Sequence, residues 1–281
     1  MTEPPASEQP AGWRWLGRIP FAAAVREQER LRDAVIRGDG PETLLLCEHD
    51  PVVTLGRSAK PEHVLLSAAE LHIRGVDLHA ASRGGDVTYH GPGQLVGYPI
   101  VRLRGGVVGH LTAMARALSA VLRELDIDAR WRREAPGLWV GAAKICAFGV
   151  HVRRRVAMHG FALNVAGALR GFQMIVPCGL NGVATTSIAQ ERDRTAPAQE
   201  RDRTAPAQER DRTVPARQRD RTAPARERDR TAPARERDRT APVPAMHVLA
   251  ARVARALGHE LGIEFVPEIE TSKRITRMIA A

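Results

Sequence analysis

Apolar positions recur along this chain at two spacings, and each spacing predicts a different element. From Pro20 to Arg37, Phe21, Val25, Leu31 and Val35 are separated by charged residues, which predicts an amphipathic helix that Gly38-Asp39-Gly40 stops. Thr43-Leu44-Leu45-Leu46-Cys47 and Val52-Val53-Thr54-Leu55 predict two buried strands about a turn at Asp50-Pro51. Gly56 to Gly75 shows no sustained period beyond a helical turn at Ala68 to Leu71, and Val76 to Ala80 predicts a short strand. Leu95 to Val101 predicts another. A second helix is expected from Val108 to Leu125, with Leu111, Met114, Leu118, Val121, Leu122 and Leu125 on its apolar face. Strands are expected at Ala129–Trp131, Gly137–Val140, Lys144–Val152 and Val156–Val165, the last two as a hairpin about Arg153-Arg154-Arg155. A final helix spans Met246 to Leu261 on Leu249, Val253, Leu257 and Leu261.

Neither spacing persists between Glu191 and Pro244. A nine-residue unit, Glu-Arg-Asp-Arg-Thr-Ala-Pro-Ala-Gln/Arg, starts there at Glu191, Glu200, Glu209, Gln218, Glu227 and Glu236. Val214 and Val243 are its only large apolar residues, so it cannot bury a core and is expected to be a disordered insertion over 190–244. The expected organisation is a disordered N-terminus over 1–12, one domain made of 13–189 and 245–270, the insertion, and a tail over 271–281.

The net charge of +10 changes this picture little. Residues 190–244 hold 15 arginines against 11 acids, a net of +4, and the remaining 226 residues carry a net of +6. The folded part is therefore mildly basic, which suits an acidic partner. An Arg-rich nucleic-acid tail is disfavoured because interleaved Glu and Asp nearly cancel the charge. No apolar run is long enough to span a bilayer, and the polar, Pro-rich start is not a signal peptide, so a cytoplasmic protein is expected. Cys47, Cys146 and Cys178 are odd in number and widely spaced, which argues against a disulfide framework or a metal site.

The densest chemistry lies in Arg83-Gly84-Gly85-Asp86-Val87-Thr88-Tyr89-His90-Gly91-Pro92-Gly93-Gln94-Leu95, read as a loop. Its glycines admit close approach of a ligand to the backbone, which predicts a substrate cradle. Cys178 follows Met174-Ile175-Val176-Pro177 and precedes Gly179, an exposed turn at the end of an expected strand, and such a turn can present a nucleophile. Cys47 and Cys146 sit in apolar runs and are expected to be buried packing residues. Only three lysines occur among 42 basic residues, and Lys144 is flanked by Gly141-Ala142-Ala143 and Ile145. An ammonium there is placed to exchange a proton or to favour a nearby thiolate. His159 is a secondary candidate. The residues alone leave open which of His90, His159 or Lys144 lies beside Cys178.

Five blocks together resemble the octanoyltransferases, the lipoyl(octanoyl) transferase family. Arg83 to Leu95 is similar to that family's RGGxxTYHGPGQL signature. The others are Glu48-His49-Asp50-Pro51-Val52-Val53-Thr54-Leu55-Gly56-Arg57, Lys144-Ile145-Cys146-Ala147-Phe148-Gly149-Val150, His159-Gly160-Phe161-Ala162-Leu163-Asn164-Val165 and Pro177-Cys178-Gly179. The resemblance implies an α+β fold, a mixed sheet flanked by helices, similar to the catalytic domain of biotin protein ligases and lipoate-protein ligases. It implies transfer of an octanoyl group from octanoyl-acyl carrier protein to a lysine of lipoyl domains, those of 2-oxoacid dehydrogenase complexes and the glycine cleavage H protein. It implies no cofactor, no metal, no nucleic acid and no membrane partner. By position, Cys178 matches the acyl-accepting cysteine and Lys144 the lysine beside it. Arg83, Gly84, Gly85, Asp86, Val87, Thr88, Tyr89 and His90 match acyl-pocket residues, as do Ala147, Phe148, Gly149, Gly160, Phe161 and Ala162. Departures from the family are the bulky Phe148 and Phe161, Ala157 in place of a hydroxyl residue, and the nine-residue repeat. Two other readings remain: an ATP-dependent lipoate- or biotin-protein ligase, and a non-catalytic Arg-rich binding protein.

Overall fold

The computed structural model describes residues 10–177, 182–195 and 243–268. Among them, an eight-stranded sheet carries most of the core. Its strands are β1 (Gly12–Ile19), β2 (Thr43–His49), β6 (Gln94–Ile100), β7 (Arg130–Arg132), β8 (Gly137–Val140), β9 (Ala143–Arg153), β10 (Val156–Asn164) and β11 (Val266–Pro267), in the order β11-β1-β2-β6-β10-β9-β8-β7. β1 runs parallel to β2 and β11, and every other pairing is antiparallel, so the sheet is mixed. A three-stranded sheet holds β3 (Val52–Leu55), β4 (Asp77–Ala80) and β5 (Val87–His90) in the order β4-β3-β5.

Alternation along the strands sends successive side chains to opposite faces. Leu44, Leu46, Leu95 and Leu163 meet Met114, Leu118 and Val121 of α3 (Gly106–Arg123), together with Leu249, Val253 and Leu257 of α5 (Met246–Leu261). Leu45, Val96 and Ile100 meet Leu31 and Val35 of α1 (Phe21–Arg37) on the other face. Helices thus cover both faces of the sheet, and trimming one fully buried leucine such as Leu118 to Ala would cost about 2–5 kcal/mol. α1 ends where Gly38, at φ 84°, donates its N–H to Ala34 and Val35 carbonyls. α2 (Ala68–Ile73) starts with a reciprocal Ser67–Glu70 capping box, which extends the expected single turn into a short helix.

Several expectations are corrected. β1 went unread in the sequence because one of its inward positions is Arg14, buried and paired with Glu27 of α1 at 2.9 Å, so its alternation is not apolar. The runs about Asp50-Pro51 are strands, but β2 and β3 belong to different sheets. The glycine-rich segment is not all loop, because Val87 to His90 pairs antiparallel with β3. The expected strand over Met174–Val176 is instead the end of a 3-10 turn, Ala168–Met174, followed by an isolated bridge from Ile175 to Val64. That run is too short for a ladder, and the ring of Tyr89 fills the space beside Gly171. α4 (Ile188–Thr195) runs through 190–195 and into the first repeat unit, so the expected disorder does not begin at 190. Its remainder over 196–242, and the expected disorder over 1–9, lie outside the described residues.

Candidate active site

The two sheets face each other across a cavity of about 380 Å³. One wall is the segment Arg83 to Thr88 with His90, carried by β5 and the turn before it. The opposite wall is the β9–β10 hairpin, contributing Ala147 to Val150 and His159 to Ala162. Val96 and Tyr98 of β6, Phe21 of α1, Val107 and Leu111 of α3, Arg57, and Glu134 to Pro136 complete the lining. In register, Ala147 pairs with Ala162 and Gly149 with Gly160, so four small residues lie side by side, while Phe148 pairs with Phe161. Phe148 stacks on Trp131 at 5.3 Å, and the ring of Phe161 lies where a side chain at Gly97 would go.

The first wall is held by polar contacts. The Arg83 guanidinium donates to the carbonyls of Thr54 and Asp86, both at 2.8 Å, and to the Thr54 hydroxyl at 2.8 Å. Asp86 accepts from the Val87 amide at 2.7 Å and lies 2.5 Å from His63 Nδ1. Gly85, at φ 83°, places its carbonyl to accept the Ser58 N–H at 3.1 Å. A side chain at Gly56 would collide with that carbonyl, so this approach needs glycine at 56 as well as at 85.

Two histidines of the lining, His90 and His159, are held towards the neutral form. Burial lowers His90 to about 3 and His159 to about 3, with nearby positive charge adding to the shift. His90 Nδ1–H donates to Gln94 Oε1 at 2.7 Å. His159 takes the left-handed region at φ 58°, uncommon for a non-glycine residue. Its amide donates to Gln28 Oε1 at 2.9 Å, and its Nε2 lies 3.0 Å from Ser82 Oγ. Behind this wall, His49 Nδ1–H donates to the Ile19 carbonyl at 2.9 Å, which leaves Nε2 to accept from the Tyr98 hydroxyl at 2.6 Å. Burial lowers His49 to about 4 and raises the Tyr98 phenol. Neutral imidazoles so placed shape the wall.

Lys144 projects from β9 into the lining. It is 6 % exposed, with Nζ 4.9 Å from the centroid of the Trp139 ring and 3.5 Å from the Pro136 carbonyl. Its stem passes Gly137, where an added Cβ would lie 3.1 Å from Lys144 Cε. Its backbone is clasped by the segment after Gly182. The Lys144 amide donates to Ala184 O at 2.8 Å, the Thr186 amide donates to Lys144 O at 3.0 Å, and Thr185 forms a parallel bridge to it. A second, smaller cavity joins Lys144, Thr88, Ala147 and Ala162 to Asn164, Phe172, Pro177, Val183 and Thr185. Cys178 lies outside the described residues, but Pro177 before it lines this second cavity beside Lys144. Cys47 and Cys146 are fully buried, and burial pushes both thiols well up.

Of the residues singled out in the sequence, the cavity gathers Arg83, Gly84, Gly85, Asp86, Val87, Thr88, His90, Lys144, Ala147, Phe148, Gly149, His159, Gly160, Phe161 and Ala162. Tyr89 is not among them: alternation along β5 turns it onto the small-sheet core, where its ring meets Phe172 at 5.9 Å. Sequence reasoning missed Phe21, Val96, Tyr98 and Leu111, which read only as helix or strand core, and Val107, which lies in the first turn of α3, before the expected start of that helix at Val108. Arg57 was legible as the end of the Glu48–Arg57 block. Among the described residues no three His, Cys, Asp or Glu side chains converge as a metal-ligand group, and no helix is long and apolar enough to cross a membrane.

A model of the lipoyl protein ligase A/B catalytic domain matches residues 20–205. An octanoyltransferase from Alkaliphilus metalliredigens (strain QYMF) is 44 % identical over 179 residues, which cover 62 % of this chain and 82 % of that protein. Another, from Solibacter usitatus (strain Ellin6076), is 45 % identical over 179 residues, covering 63 % of this chain and 81 % of that protein. A crystal structure of lipoate-protein ligase A bound with ATP matches with a TM-score of 0.66 at 14 % identity, covering 97 % of this chain and 93 % of that chain. That last likeness is one of fold.

Proposed function

This chain belongs to the octanoyltransferases of the lipoyl protein ligase A/B catalytic family, and we propose that it transfers octanoyl groups through a covalent thioester on Cys178. The donor is octanoyl-acyl carrier protein. The acceptor is a lysine on the lipoyl domains of 2-oxoacid dehydrogenase complexes and on the glycine cleavage H protein. A mildly basic folded part complements an acidic carrier.

In the first step the Cys178 thiolate attacks the donor's carbonyl carbon. The bond to the carrier sulfur breaks, and that sulfur leaves with the electron pair and takes up a proton from the Lys144 ammonium, which becomes the neutral amine. One thioester replaces another, so the step is close to neutral. In the second step the acceptor amine attacks the acyl-enzyme carbonyl, an amide forms, the Cys178 sulfur leaves, and the amine's proton passes to Lys144. Amide formation from a thioester is downhill, so no ATP is consumed.

The observation that carries this reading is the place of Lys144. Its buried side chain lies where the large cavity meets the small one, and Pro177, covalently joined to Cys178, lines the small one. The cavity volume falls near the lower end of the roughly 300–1,000 Å³ common for small-molecule sites. Its side-by-side alanines and glycines leave room for an unbranched acyl chain across the strands. Mass spectrometry of the protein mixed with octanoyl-acyl carrier protein tests the proposal. An octanoyl adduct on the Cys178 peptide, discharged by a lipoyl domain without ATP, is expected. No adduct, with turnover that needs ATP, would make the protein a ligase instead.

A further inference from the structure

Behind Lys144 a line of buried polar side chains runs from the cavity wall into the first repeat unit. His90 Nδ1–H donates to Gln94 Oε1 at 2.7 Å, and Gln94 Nε2–H donates to Asn164 Oδ1 at 2.9 Å. Gln94 and Asn164 are register partners on β6 and β10, which puts their side chains together. Asn164 Nδ2–H donates to the Thr186 carbonyl at 3.0 Å. The Thr186 hydroxyl donates to the Glu191 carboxylate, which also accepts from Arg194 Nη1–H at 2.6 Å. Thr186 is fully buried, Gln94 is 1 % exposed, Asn164 3 % and Glu191 8 %. From His90 to Glu191 every donor points the same way, and Arg194 donates to the Glu191 carboxylate from the far end; the side contacts are longer, Gln94 Nε2–H to the Tyr89 carbonyl at 3.3 Å and the Thr186 hydroxyl to Gln190 Oε1 at 3.4 Å.

Thr186 stands at the centre. Its amide is bonded to the Lys144 carbonyl, and it belongs to the segment that resumes at Gly182 after Cys178. We propose that Asn164 and Glu191 are positioning residues, which hold Thr186 from two sides and thereby fix Lys144 where the two cavities meet. Neither residue lines the large cavity, so neither contacts an acyl chain there. The inference rests on Cys178 and Lys144 as the reacting pair. It also makes the start of the repeat part of the working domain, since Glu191 and Arg194 are residues of its first unit.

The test uses the full chain carrying Glu191→Ala, Glu191→Gln or Asn164→Asp. Asn164→Asp replaces the donor to Thr186 with an acceptor, and Glu191→Gln keeps an acceptor for the Thr186 hydroxyl. Two quantities are measured: kcat and KM for octanoyl transfer per folded molecule, and the pH midpoint of iodoacetamide alkylation at Cys178, located by peptide mapping. In Glu191→Ala and Asn164→Asp, kcat is expected to fall roughly 10- to 100-fold with KM nearly unchanged, the cost of a small misplacement of a reacting group. The alkylation midpoint is expected to rise, because a displaced Lys144 ammonium favours the thiolate less. Glu191→Gln recovers most of both. Unchanged kcat and an unmoved midpoint would overturn the proposal, and if Glu191→Ala does not fold, Asn164→Asp alone decides. Failure of the wild-type protein to take an octanoyl group at Cys178 would sink the catalytic reading instead, while the alkylation midpoint still reads the positioning.

Discussion

The wall carried by the small sheet and the wall carried by β9 and β10 face each other across one cavity, yet they are held by different forces. Arg83 to Asp86 has no ladder of its own: single main-chain bonds to Gly56, Arg57, Ser58 and Val150 anchor it, and the Arg83 guanidinium and Asp86 carboxylate brace it between them. The β9–β10 hairpin is held in register over eight paired positions, and Phe148 and Phe161 pack onto the large core. Hydrogen bonds made by a single side chain are lost together when that side chain changes. A ladder with packed rings has no such single point of failure. The hairpin is thus the rigid side, and it carries Lys144, while the glycine-rich side contributes shape.

The largest expected effect falls on the hairpin. Lys144→Ala should leave the fold intact and reduce octanoyl transfer at least 100-fold, the scale of a lost proton-transfer group. Steady-state turnover and single-turnover acylation measure it. Cys146→Ala, two residues along the same strand but in the core, should keep much of the activity, and equal loss in both would mean that β9 contributes through stability alone.

A change on the other wall should behave in the opposite way. Arg83→Met removes the donors to the Thr54 carbonyl and hydroxyl and one of the two donors to the Asp86 carbonyl, which keeps the Gly56 N–H, so unfolding free energy should fall by about 2 kcal/mol. KM for the octanoyl donor should rise more than kcat falls, because the wall loses shape before the reacting groups move. A large drop in kcat at constant KM would show that this wall acts in the chemistry.

The smallest effect tests whether both walls titrate together. His90 on one wall and His159 on the other are each lowered from 6.5 to about 3, chiefly by burial. Unfolding restores an ordinary histidine near 6.5. Between about pH 6.5 and 3 the unfolded chain therefore binds more protons than the folded one, and stability falls as the pH drops through that window. Denaturation midpoints measured at intervals from pH 7 to pH 5 should decline. His159→Gln should reduce the slope by about one proton, near 1.4 kcal/mol per pH unit, and an unaltered slope would mean that His159 is charged in the folded protein.

Much of the site was legible because glycine, proline and rare polar residues cluster in short blocks. Arg83 to Thr88, Ala147 to Gly149 and Gly160 to Ala162 all reach the cavity. Tyr89 shows where block reading ends, since within a strand every second side chain turns away, and the phase is set by pairing with β3. Phe21, Tyr98 and Leu111 were invisible as site residues for the converse reason: an apolar residue at a helix or strand position reads as core whether a cavity or another side chain lies beyond it. β1 was missed because Arg14 interrupts its alternation, and a buried guanidinium there is explained by carboxylates distant in the chain, Glu27 on α1 and Glu268.

The sequence by itself determined the amphipathic helices, the hairpin at Arg153-Arg154-Arg155 and the candidates Lys144 and Cys178, because local spacing and residue chemistry carry those features. Tertiary structure alone decided which candidates meet. It split β2 and β3 between two sheets, brought the segment after Gly182 back onto Lys144, and drew Glu191 of the repeat into a buried line with Asn164. Such contacts join residues far apart in the chain, and their energy depends on burial that exists only once both sheets and their helices have packed.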